Sequence, residues 1–173
     1  MIKKQLNMKK IYFSMLVTMI LVASCQMKTT TVPFDPATAK AEVTKTLDSI
    51  DTALKSKDVK TFLSFYKDDG LYCGTDPSEL WDKAGWGNTM NEMMSDTTGS
   101  FKMDVSKMEI ILDKTGNSAN VLRQFVASWS KPIELRSTMH LIKMDNKWMV
   151  DFSSLALVPE NKDLPKITGA VSK

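Results

Sequence analysis

The chain has 173 residues, enough for one domain with a sizeable core. Hydrophobic residues at 43% and charged residues at 25% exclude a wholly disordered or collagen-like chain, and two cysteines exclude a disulfide scaffold. The formal charge of +3 is concentrated at one end: Lys3, Lys4, Lys9 and Lys10 precede residue 25 and no acid does. Without residues 1–24, the 23 basic residues fall to 19 against 20 acids, a net of −1. The body therefore carries no electrostatic case for nucleic acid, and no basic stripe runs along it.

Ile11 to Val22 is a charge-free apolar run of twelve residues. At 1.5 Å per helical residue it is too short for a hydrocarbon core of about 30 Å. A basic start, a short apolar run and small residues after it describe a secretory signal peptide, with Met8 an alternative start to Met1. Leu21-Val22-Ala23-Ser24-Cys25 resembles the bacterial lipobox. That resemblance implies cleavage after residue 24 and lipid on Cys25. It implies an exported protein anchored in a bacterial membrane, on its periplasmic or outer-membrane face. Two or three acyl chains make such attachment stable, where one is marginal. Cys73 is then the one remaining thiol, read as a core residue. Residues 25–35 read as a tether and 159–173 as a loose C-terminal tail.

Between them, Asp35-Pro36 opens a helix as N-cap and first position. Val43, Leu47, Ile50 and Leu54 form its apolar stripe, with Lys40, Lys45, Asp48, Asp51 and Lys55 on the other faces. Asp58 caps a shorter helix through Phe62 and Tyr66. Lys67-Asp68-Asp69-Gly70 reads as a turn and Leu71–Cys73 as a short strand. Asp76-Pro77-Ser78-Glu79 reads as a second helix start with a capping box, followed by Leu80 and Trp81. A further helix runs through Trp86, Met90, Met93 and Met94, and ends at Asp96-Thr97-Thr98-Gly99. From residue 100 the period changes to two. Phe101, Met103 and Val105 alternate with polar residues, then Met108, Ile110 and Leu112 do so. Turns at Asp113–Asn117, Lys131-Pro132 and Asp145–Lys147 separate strands over 120–129, 134–144 and 148–157. Helices first and an antiparallel meander after them predict an α+β fold, with no internal repeat.

Two stretches carry a resemblance to the SnoaL-like branch of the nuclear transport factor two-like superfamily. One is Tyr72-x-Gly74-Thr75-Asp76-x-x-Glu79-x-Trp81; the other is Arg136-x-Thr138, then Asp145-Asn146-Lys147-Trp148-x-Val150 and Ser154. The likeness covers residues 36–158. It implies a cone-shaped α+β barrel, with N-terminal helices packed on a curved, mainly antiparallel sheet. Asn146 replaces the usual turn glycine, and Ser154 stands where many relatives place a pocket histidine.

The pocket wall depends on the last hairpin. A three-residue loop, which the resemblance favours, pairs Thr138 with Ser154 and His140 with Phe152. It puts Arg136, Thr138, His140, Phe152 and Ser154 on the pocket face. A two-residue turn instead brings Leu141 and Met139 beside Val150 and Phe152, because a one-residue slip exchanges the faces. Tyr66, Tyr72, Trp81, Trp86 and Met90 face it from the helical side. Such a lining suits a small, largely apolar ligand, bound without catalysis, or else a partner protein. The alternative is a lyase or isomerase using His140 as base and Tyr66 or Tyr72 as donor. Arg123 and Arg136 are candidates to grip a carboxylate in bidentate fashion. A third reading is a homodimer scaffold joined through Met139, Leu141 and Met149 on the convex sheet face. With one histidine and no cysteine cluster, neither a metal nor a cofactor is expected.

Overall fold

A computed structural model describes residues 34–95, 102–128 and 132–171. The signal peptide, Cys25, most of the tether, and the helix end expected at residues 96–99 lie outside the described residues. Helix α1 spans Pro36–Lys55; the Asp35 carboxylate accepts from the N–H groups of Ala37 and Thr38, both at 3.1 Å. Its buried stripe is Ala39, Val43, Leu47, Ile50 and Ala53. Lys57 adopts a φ of 58°, which turns the chain so that the Asp58 N–H reaches the Ala53 carbonyl at 2.9 Å. Asp58 then caps α2, Val59–Leu63, by accepting from the Thr61 N–H at 2.9 Å.

The turn expected at Lys67–Gly70 is instead part of strand β1, Tyr66–Cys73. The segment bulges between Tyr66 and Leu71, and the Tyr72 hydroxyl lies over it, donating to the Lys67 carbonyl at 2.7 Å. Gly70 makes room: a Cβ there would stand 2.1 Å from the Tyr72 oxygen. The helix start expected at Asp76 is also corrected. Its local hydrogen bonds form, with Glu79 Oε2 accepting from Thr75 N and Asp76 N at 2.7 and 2.9 Å. The chain nevertheless closes into a loop through Gly74 N–H to Glu79 carbonyl, and Leu80–Trp81 becomes strand β2 paired with Tyr72 and Cys73. Ladder pairing to β1 overrides the helical signal. Helix α3 begins later, at Lys83, and runs to Ser95.

Strands β3 (Lys102–Leu112), β4 (Ser118–Ser128), β5 (Pro132–Met144) and β6 (Lys147–Leu157) form the meander. A bulge between Val105 and Lys107 falls where the sequence alternation resets. The sheet order is β2-β1-β6-β5-β4-β3, with β1 parallel to β6 and every other neighbour antiparallel. The α+β class and the helices-on-sheet layout are as expected, but the six-stranded sheet is open, with β2 and β3 at its edges, so it does not close into a barrel. Glu42 ties α1 to the last hairpin, accepting from Lys143 Nζ at 2.5 Å and Trp148 Nε1 at 3.1 Å.

The last hairpin has a two-residue turn, not three. Asp145 and Asn146 take φ of 49° and 62°, and Met144 pairs with Lys147. Further along, an irregularity between His140 and Leu141 leaves Asp151 as an extra residue on β6. Beyond it His140 opposes Phe152 and Thr138 opposes Ser154, the pairs the longer loop would make. The face is reversed, however. Leu135, Ser137, Met139 and Leu141 are buried on the helix side, so Arg136, Thr138 and His140 point away. For the same reason Met139 and Leu141 are core residues and cannot form the convex dimer patch.

In the tail, Asn161–Asp163 forms a single 3-10 turn and Leu164–Val171 forms α4, neither with a buried residue, and Leu164, Ile167 and Val171 are exposed. Among the described residues no helix is long and apolar enough to cross a membrane.

Candidate functional site

A cavity of about 150 Å³ lies between the helices and the sheet. Helix α1 supplies Ile50, Asp51 and Leu54; α3 supplies Trp86, Met90, Met93 and Met94. The sheet floor is Met103, Phe125, Leu135, Met139 and Leu155, with Arg123, Ser137, Ser153 and Ser154 also among the lining residues. Thioethers are unbranched and polarizable, so a wall with five methionines can adapt to the shape of what it holds.

Its charged centre was not legible as such in the sequence. Arg123 lies in the inward alternation Val121-x-Arg123-x-Phe125 of β4. Its Nη1 and Nη2 donate to Asp51 Oδ1 and Oδ2 at 3.0 and 2.5 Å. The expectation that Arg123 grips a carboxylate is met by the chain's own Asp51. Asp51 was assigned to a polar face of α1, yet it follows Leu47 by four residues and precedes Leu54 by three, which places it within the stripe. That spacing was the available signal. The two side chains are 6% and 16% exposed, and removing one partner of such a pair typically costs about 3–5 kcal/mol.

Around the pair, the donors outnumber their acceptors. Arg123 Nε is buried with no hydrogen-bond partner among the described residues, and Trp86 Nε1 is buried with no bond of full geometry, its one interaction being with the Tyr66 side chain. Such a group forfeits roughly 1–3 kcal/mol until an acceptor reaches it. The Tyr66 phenol is pushed well above its ordinary pKa, first by burial and then by the neighbouring Tyr72 and Asp51, with Arg123 and a hydrogen bond with Trp86 opposing. It therefore stays protonated. Aromatic rings back it up: Phe62 at 4.7 Å, Tyr72 edge-on at 5.1 Å and Trp86 at 6.5 Å between ring centroids. Lys57 stands exposed at the rim.

Of the residues expected at the pocket, Tyr66, Trp86, Met90 and Ser154 line the cavity. Tyr72 is fully buried behind it, with its hydroxyl held by the Lys67 and Val150 carbonyls. Trp81 stacks on Trp86 at 5.4 Å and is not part of the wall. Arg136 lies on the outer face, donating to Gln124 Oε1 at 3.0 Å. Thr138 and Phe152 share that face. His140 is there too, with Nδ1 2.6 Å from Asp151 Oδ1. Alternation along β5 and β6 therefore separates His140 from Tyr66 and Tyr72, and the expected base–donor pair is not formed. Cys73 is half-buried at the cavity wall rather than in the core. Among the described residues no group of three His, Cys, Asp or Glu could hold a metal.

Comparison with curated proteins gives no match. Among solved structures, the chain is similar to an NTF2-like protein of unknown function from Pseudomonas putida KT2440, at 13% identity, covering 73% of this chain and 91% of that one, with a TM-score of 0.65. It is similar to an NTF2-like protein from Cytophaga hutchinsonii at 14% identity, covering 69% and 98%, with a TM-score of 0.59. A candidate dehydratase of the NTF2-like family from Streptomyces avermitilis matches at 13% identity, covering 73% and 100%, with a TM-score of 0.61. At such identities the likeness establishes the cone fold alone. The sequence model of the SnoaL-like domain matches residues 43–154, from the first apolar turn of α1 to Ser154 on β6, and the chain belongs to the SnoaL-like family.

Proposed function

We propose that the domain binds a small, largely apolar ligand without converting it, on a protein held at the bacterial cell envelope by lipid on Cys25. One observation carries the binding reading. The cavity is methionine-lined, and its internal charges, Arg123 and Asp51, are spent on each other. SnoaL-like domains include both binders and lyase- or isomerase-type enzymes. An enzyme of that type needs a base inside the pocket, and the sole histidine points away while both Asp51 oxygens are engaged. The envelope reading draws on the lysines, apolar run and Cys25 of the first 25 residues.

The test is native mass spectrometry of the protein purified from a bacterial membrane fraction. A co-purifying small molecule that is lost on Met90→Trp, which fills the cavity, supports the reading. A chain of unliganded mass that also fails to take up any benzene-sized probe would sink it.

A further inference from the structure

We propose that the cavity selects a neutral molecule of about one six-membered ring carrying a single acceptor oxygen, such as a ketone or ester carbonyl, and discriminates against carboxylates. This rests on reading the cavity as a ligand site. Size comes first: a cavity of about 150 Å³ accommodates a molecule such as benzene. Charge comes second. A carboxylate entering from the mouth meets a guanidinium whose Nη1 and Nη2 are both taken by Asp51. It must displace that carboxylate or lie beside it, and both are unfavourable where water is scarce. Lys57 offers a compensating charge only at the exposed rim, where solvent screens it.

The acceptor follows from what the pair leaves over. Arg123 Nε is an unpartnered N–H group sealed from water, and Trp86 Nε1, also buried, has only the Tyr66 hydroxyl to turn to, without the geometry of a full hydrogen bond. A buried donor with no acceptor among the described residues favours a ligand that supplies one. Hydrocarbon would fill the space and leave the Arg123 N–H unmet; a carbonyl meets it and keeps the rest of the molecule against Met90 and Met139.

Acetophenone, cumene and benzoate separate these terms, because cumene keeps the shape without the oxygen and benzoate adds the charge. Each is titrated into the full chain carrying labelled methionine methyls, and the Met90 and Met139 signals are followed. Acetophenone is expected to bind about fivefold or more tighter than cumene, the worth of one hydrogen bond, and about tenfold or more tighter than benzoate. Equal binding of cumene overturns the acceptor argument, and benzoate binding as well as acetophenone overturns the charge argument. In either case the ligand-site reading survives, because a probe has bound at those methyls. No shift from any of the three overturns both. Asp51→Asn should release Arg123 and raise benzoate relative to acetophenone by about tenfold. An unchanged order in that variant overturns the role given to the pair. Should the variant fail to fold, the wild-type order alone decides.

Discussion

Arg123 on β4 and Asp51 on α1 stand edge to edge at the cavity wall, 72 residues apart in sequence, with Nη–Oδ distances of 3.0 and 2.5 Å. The pair does two things at once. It fixes a helix against the sheet at the point where the cavity opens between them. It also cancels the charge that an anionic ligand or a general base would need.

Arg123→Met leaves the mostly buried Asp51 without its ion-pair partner. A loss of about 3 kcal/mol in unfolding free energy is expected, whereas Asp51→Leu combined with Arg123→Met recovers most of it. Denaturant midpoints of wild type, single and double variants measure this. A double variant as unstable as the single would show that the ion pair itself, rather than the orphaned charge, sets the cost.

His140→Ala should leave probe affinity at the Met90 and Met139 methyls unchanged, because His140 and its partner Asp151 lie on the far face of the sheet. Tyr66→Phe removes a donor from the wall, and about a fivefold loss of affinity for acetophenone is expected with none for cumene. Titration of the two variants compares the faces directly, and a loss on His140→Ala would contradict the register.

Acid stability carries a signature at the β3–β4 turn. The Asp113 carboxylate is held down to about 2 from 3.8, chiefly by the Thr115 hydroxyl at 2.6 Å and then by the Ser118 N–H at 3.1 Å. A carboxyl lowered in the folded state stabilises it fully above its unfolded value. That contribution fades as pH falls from 3.8 toward about 2. Asp113→Asn should therefore lower stability at neutral pH and converge with wild type over that window. Urea unfolding at a series of pH values reads the difference, and a constant gap down to pH 2 would refute it.

Gly116 adopts a φ of +72°, and a Cβ there would sit 2.3 Å from Phe34 Cδ2. Gly116→Ala should cost about 1–2 kcal/mol from the left-handed backbone alone, with the clash against the Phe34 ring added. Gly169 in α4 has open space around it, so Gly169→Ala should be neutral or stabilising by up to about 1 kcal/mol. Thermal midpoints of the two variants should move in opposite directions or one not at all.

Cys25→Ala should abolish labelling by a radioactive fatty acid and move the protein from the membrane to the soluble fraction. Retention in the membrane after the substitution would refute lipid anchoring.

What the sequence alone determined was local. Asp35 and Asp58 announce helix starts because a carboxylate can satisfy orphan N–H groups two or three residues on. The stripe Val43–Leu47–Ile50 and the alternation of β3, with its reset at the bulge, follow from the periods of helix and strand. The turn at Asp113–Asn117 needs only its own side chains and Gly116.

Tertiary structure decided what depends on partners far along the chain. Residues 80–81 became strand because β1 offered a ladder that outweighed the capping signal, and residues 67–70 were drawn into β1 as a bulge between Tyr66 and Leu71, which pair with β6 on either side. The pocket wall made by β5 and β6 was set by a two-residue turn together with an extra residue at Asp151 on β6. The turn puts Leu141 and Met139 on the buried face with Val150, and the extra residue then turns Phe152 outward and brings Ser153 and Leu155 opposite Met139 and Ser137. That arrangement sent His140 outward. The cavity's charged centre needed α1 and β4 to meet: the sequence marks Arg123 as a carboxylate grip, but only packing shows that the carboxylate is Asp51.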